Sequence, residues 1–128
     1  MSENKEYISH AEEHGDIYIS EDVLTMIAGA AALEIEGVTG LAGGNLGNLG
    51  DQLLGKKSMS RGVTMQRNGE VLVMNVSILI QYGYAIPEVA RKVQEAVTSN
   101  LEATSGLEVS AVNVRVGGIT FDKQTQNP

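Results

Sequence analysis

Between Val71 and Val116 the chain alternates, then changes period, then alternates again. Leu72, Met74, Val76, Ile78 and Ile80 form an unbroken apolar row at the strand period of two. The odd positions mix Val71, Val73 and Leu79 with Asn75 and Ser77. Tyr82-Gly83-Tyr84 predicts a turn, and Pro87 suits a first helical turn, where its missing N–H costs nothing. Val89, Val93, Ala96, Val97 and Leu101 then recur at helical spacing, with Glu88, Arg91, Lys92, Glu95 and Glu102 on the other side. Ser105-Gly106 stops that helix. Val112, Val114 and Val116 face one way in the next strand, Asn113 and Arg115 the other. Two one-faced strands and a one-striped helix predict a two-layer arrangement.

Upstream, Gly15-Asp16-Ile17-Tyr18-Ile19 reads as a short strand. Ser20 is a good N-cap, with Glu21 and Asp22 suited to the positive end of the helix dipole. That helix is expected to reach about Glu36 and to bury Leu24, Ile27, Ala28, Ala31 and Ile35. Its small-residue middle, Gly29-Ala30-Ala31-Ala32, permits close packing on the sheet, on the second helix or on another subunit. Gly37 ends the helix and Val38-Thr39-Gly40-Leu41 leads back toward the sheet. Between Val63–Arg67 and the strand from Val71, Asn68-Gly69 signals a hairpin, because both residue types tolerate the positive φ of a type I′ turn. The expected fold class is α+β: a two-layer sandwich, mainly antiparallel, with about four strands and two helices on one face. The expected divisions are an acidic flexible tail over 1–14, one α+β domain over 15–121 containing a Gly-rich loop at 42–62, and a polar tail over 122–128.

Charge sharpens this layout. The chain carries a net charge of −7. Glu3, Glu6, Glu12, Glu13, Asp16, Glu21 and Asp22 stand against Lys5 alone before residue 23, so the rest is nearly neutral. A near-neutral body argues against non-specific phosphate binding as the main task. With no Cys, disulfides, thiolate metal sites and a thiol nucleophile are excluded. No apolar run approaches the roughly 20 residues that span a bilayer, and no signal-peptide core follows Met1. The expectation is a cytoplasmic protein.

Candidate chemistry is sparse. His10 and His14 are four apart, but Ala11 occupies the position where the zinc-peptidase pattern needs Glu. Gly50 to Gly55 followed by Lys56 has the spacing of a phosphate-binding loop, but Lys57 replaces the required Ser or Thr. No Ser stands in a nucleophile elbow. No catalytic residue, cofactor or metal is therefore expected. What remains is surface. Tyr18, Val71, Val73, Asn75, Leu79, Asn113 and Arg115 are the candidates for a self-association or partner face. Leu46, Leu49, Leu53, Lys56, Lys57 and Arg61 are candidate contacts of the glycine-rich loop. Two Gly-Asn-Leu-Gly units at 44–50 have the GXXG spacing of RNA-binding KH modules, which makes such a module the alternative reading.

Four blocks together resemble the alkaline shock protein family of bacterial envelope stress response proteins. They are Gly15-Asp16-Ile17-Tyr18-Ile19-Ser20, Glu36-Gly37-Val38-Thr39-Gly40-Leu41, Tyr82-Gly83-Tyr84-Ala85-Ile86-Pro87-Glu88-Val89-Ala90 with Val93-Gln94, and Val112 through Phe121. The resemblance spans about residues 15–121. It implies a non-enzymatic, self-associating cytoplasmic protein, held near the membrane by a membrane-anchored protein partner. It carries over no catalytic residues.

Overall fold

The computed structural model describes residues 7–43 and 61–121. Its elements are β1 (Tyr7–Glu12), β2 (Gly15–Ser20), α1 (Glu21–Leu33), β3 (Val38–Leu41), β4 (Val63–Asn68), β5 (Val71–Gln81), α2 (Ile86–Ser105) and β6 (Glu108–Thr120). The fold is an α+β sandwich whose organising strand is β5. Strands β3 and β4 lie end to end along one edge of β5, both antiparallel to it, and β6 runs parallel along the other edge. A parallel neighbour needs a crossover, and α2 supplies it. Among the described residues the longest pairing is the parallel one, from Val71↔Glu108 to Gln81↔Thr120, and the other strand pairs are antiparallel.

The alternation in β5 sorts exactly as its period demands. Leu72, Met74, Val76, Ile78 and Ile80 are all but fully buried, and the odd positions from Val71 to Gln81 are half-buried. The even row meets Leu24, Ala28, Ala31 and Ala32 of α1 and Val89, Val93, Val97 and Leu101 of α2 in one core. On β6, Val109, Val112, Val114 and Val116 lie in register with the even row of β5 and extend it toward the helices. Register holds on that strand only because it slips twice, at Ser110 and Gly117.

Helix ends follow their local chemistry. The Ser20 hydroxyl accepts from the Val23 N–H at 3.2 Å, and Gly106 closes α2 in the left-handed conformation. Helix α1 stops at Leu33, before the expected Glu36, because the N–H groups of Glu34 and Ile35 turn to carbonyls three residues back and tighten the chain toward β3. Ile27 of α1 and Ile35 just after it, both expected in the core, are only partly buried against it.

Three expectations are corrected. Residues 7–12, read as part of a loose tail, form a strand paired with β2 from Tyr7↔Ser20 to Glu12↔Gly15. Ile8 is the reason: it is 6% exposed and belongs to the core. As a consequence β2 is no part of the main sheet, and β3 takes the fourth place. The third concerns the hairpin after β4. Asn68 still pairs with Val71, so the turn residues are Gly69 and Glu70. Only Gly69 has positive φ, at 70°, which is the II′ order rather than the I′ order.

Candidate functional site

With both helices on one side, the other side of the main sheet has no layer over it among the described residues. Its centre is the odd row of β5: Val71, Val73, Asn75, Ser77, Leu79 and Gln81. Register then assigns the flanks. Gln66 of β4 and Ala111 of β6 flank Val73, and Thr64 and Asn113 flank Asn75. Arg115 stands beside Ser77. The face is therefore apolar at the Val71–Val73 end and polar in the middle.

The polar middle is internally ordered. The Asn113 side-chain amide donates to the Asn75 side-chain oxygen at 3.0 Å, which joins β6 to β5 on the open side. Asn75, Ser77, Asn113 and Arg115 rim a shallow depression of about 230 Å³. Beyond it Leu79 lies between two glycines. A Cβ on Gly118 would come within 3.0 Å of the Leu79 side chain, and one on Gly40 within 3.6 Å. Two residues without side chains thus let a large one lie along the sheet and half-bury itself. At the far end the Thr39 and Thr120 hydroxyls are 3.0 Å apart, closing the surface with a polar contact.

Of the residues singled out from sequence, Val71, Val73, Asn75, Leu79, Asn113 and Arg115 share this face. Tyr18 does not, because β2 pairs with β1 instead, and the residue is 62% exposed on that hairpin. Leu46, Leu49, Leu53, Lys56 and Lys57, both Gly-Asn-Leu-Gly units and the near-match to a phosphate-binding loop lie outside the described residues. Arg61 sits in the turn leading into β4. The chain leaves and re-enters the described fold at one place: a Cβ on Gly43 would be 2.6 Å from the Gly62 Cα, so these two backbones touch.

Two further features were not read from the sequence. Tyr82 and Phe121 stack with ring centroids 5.0 Å apart at the end of the sheet, both exposed. They are far apart in the chain, and nothing local signals their meeting. The second is an open groove of about 680 Å³ under the β1–β2 hairpin, lined among others by Ile8, His10, Arg67, Glu70, Leu72 and Glu108. On β1 beside it, His10 Nε2 lies 2.9 Å from a Glu12 carboxylate oxygen. Among the described residues no group of three His, Asp or Glu is placed to hold a metal ion. No described helix is long and apolar enough to cross a membrane. Among the described residues, the one clear electrostatic perturbation lies at the end of the sheet. The Tyr84 hydroxyl donates to the Glu36 carboxylate at 3.2 Å, and that bond, with the negative charge behind it, raises the phenol above its ordinary value.

The sequence model of the ASP23 family, described by a cell envelope-related function, matches residues 9–121. The chain is 38% identical over 108 residues to the protein YloU of Bacillus subtilis, covering 84% of this chain and 90% of that one. It is 30% identical over 120 residues to YqhY of the same organism, covering 93% and 88%. A stress response regulator gls24 homolog of Streptococcus pyogenes is 26% identical over 110 residues, covering 86% of this chain and 62% of its own length. Among solved structures, the MamM CTD is similar over 76% of this chain at 12% identity, with a TM-score of 0.47.

Proposed function

From the premise that this chain belongs to the alkaline shock protein family, whose function is related to the cell envelope, we propose that it is a non-enzymatic scaffold that self-associates through its uncovered sheet face and is held near the membrane by a protein partner. The observation that carries the reading is the half-buried row Val71, Val73 and Leu79 on a sheet side with no covering layer among the described residues. A second copy laid on this row removes more apolar surface from water and gives the Asn75–Asn113 pair and Arg115 polar neighbours at the rim. Nothing in the depression at its centre asks for a small molecule. It is shallow, and its side-chain amides already bond each other.

Sedimentation velocity across a concentration series tests the reading. The unaltered chain is expected to associate, and Val73→Glu is expected to shift it to monomer, because a carboxylate at the apolar end of the covered face lacks a partner. Val73 is half-buried, so the variant keeps its fold, which thermal unfolding verifies. A strict monomer at high concentration, or an association indifferent to Val73→Glu, removes the proposed face.

A further inference from the structure

The free edge of β1 faces the groove under the hairpin. Four consecutive residues of that strand, Ile8 to Ala11, line it. A strand that presents a face contributes every second residue, so it is the edge of β1 that walls the groove. Pairing with β2 engages the N–H and C=O groups of alternate residues, and the others turn outward. No third strand takes them among the described residues. Nor is this edge protected: β1 contains no Pro or Lys, and its register runs from Tyr7 to Glu12 without a bulge. Strand β6, at the margin of the main sheet, is built otherwise. Its register slips twice, and the Gln94 amide and Glu102 carboxylate of α2 bond its Val112 carbonyl and Val109 N–H. Ile8, buried in the core, pins β1 in place, so the edge is ordered before anything binds to it.

The opposite wall carries charge in a fixed order. Arg67 of β4 pairs with Leu72 of β5, and Glu108 of β6 pairs with Val71, so a base and an acid flank β5 at one end of the sheet. Glu70, next to Val71, adds a second carboxylate. All three are exposed and line the groove, and none has an ion pair or hydrogen bond among the described residues. Two strand spacings set β4 and β6 about 10 Å apart, and same-side residues of an extended chain repeat about every 7 Å, within side-chain reach of both. A second copy does not complement this wall. Its β1, the strand that would pair edge to edge, brings Glu12 and no Lys or Arg, and its His10 is already held by Glu12. We propose that the groove takes an extended segment of a partner protein, added to β1 as a third strand, with a Lys or Arg at Glu70 and Glu108 and an Asp or Glu two residues away at Arg67. This rests on the reading that the chain works by binding proteins, and it uses a site other than the open sheet face.

The test titrates the full chain, at low ionic strength, with fluorescent peptides of about seven residues, built of Thr and Val with Lys and Glu two apart in either order. One order is expected to bind at least about tenfold more tightly than a control with Gln at both charged positions. Methylating one set of alternate backbone nitrogens in that peptide is expected to abolish binding and methylating the other set to leave it, because only every second residue of an added strand faces its neighbour. The double variant Glu70→Gln/Glu108→Gln is expected to lose most of the preference over the Gln control with unchanged thermal unfolding, since both side chains are exposed. No binding by either charged peptide, equal binding by the Gln control, or equal loss from both methylated sets overturns the proposal. So does loss of self-association in the double variant, since the groove is then a contact between copies. Val73→Glu is expected to keep the peptide, so failure with the peptides beside intact, Val73-dependent association sinks this inference and leaves the sheet-face reading standing.

Discussion

The two helices of this domain cover the same sheet, yet they are built differently. Helix α2 buries Val89, Val93, Val97, Leu101 and Ser105 at steps of four and turns Glu88, Arg91, Lys92, Glu95 and Glu102 outward. One stripe serves the core and the remainder serves the water. Helix α1 also serves the core, with Leu24, Ala28, Ala31 and Ala32, but its outward side is apolar again. Side-chain size differs as well. The inner side of α1 is largely Ala and Gly, so its backbone sits close to the sheet, whereas α2 stands off on Val and Leu. The contrast teaches that burial against the sheet does not by itself explain the composition of α1.

Paired truncations give the sharpest break in the comparison. Leu101 of α2 is fully buried, so Leu101→Ala is expected to cost about 2–5 kcal/mol in denaturant unfolding through lost burial and a residual cavity. Leu33 of α1 lies on the outward side, is only half-buried and packs on no core residue. Its truncation is expected to cost less than about 1 kcal/mol. Equal costs would mean that the outer side of α1 is core after all. The N-termini give the next largest effect. Ser20→Ala removes the bond to the Val23 N–H and is expected to cost about 1 kcal/mol. Helix α2 starts at Ala85, which has no side chain to cap with, so Ala85→Ser is expected to gain up to about 1 kcal/mol by the same measurement.

The smallest effect lies where the two helices are tied together, at the bond from Tyr84, just before α2, to Glu36, just after α1. Because the folded phenol is raised above the ordinary 10.0, folding favours the protonated form. The contribution is therefore complete below the ordinary phenol value and disappears as pH rises through the higher, folded one. Ultraviolet titration of the phenolate should show one of the four tyrosines ionising later than a free phenol, and Tyr84→Phe should remove that late phase. A late phase surviving in Tyr84→Phe would place the perturbation elsewhere.

Much of this architecture is legible along the chain because it rests on local chemistry. The even row of β5, the Ser20 cap, Pro87 at the start of α2 and Gly106 at its end each depend on period, hydrogen-bonding groups or backbone freedom within a few residues. The odd row of β5 could likewise be named as the mixed face before its surroundings were known. Strand β1 was not legible: Ile8 is its one residue in the core, and its turn, Glu13-His14, contains none of the usual turn formers. The II′ turn at Gly69-Glu70 was one residue away from the Asn68-Gly69 reading, since pairing of Asn68 with Val71 fixes it and no local preference does.

By itself the sequence determined most of the strands and helices, which side of each is apolar and where both helices begin, since these follow from the period of side-chain projection and from terminal N–H groups needing partners. It also carried the family, through blocks dispersed over nearly the whole domain. Partners were decided in three dimensions. That β2 leaves the sheet to β3, that β6 joins β5 in parallel, and that Leu79 lies between Gly40 and Gly118 all depend on residues tens of positions apart arriving together. Hydrophobicity fixes that a surface must be covered, but it is non-directional, so only the packed arrangement says what covers it and what is left for another molecule.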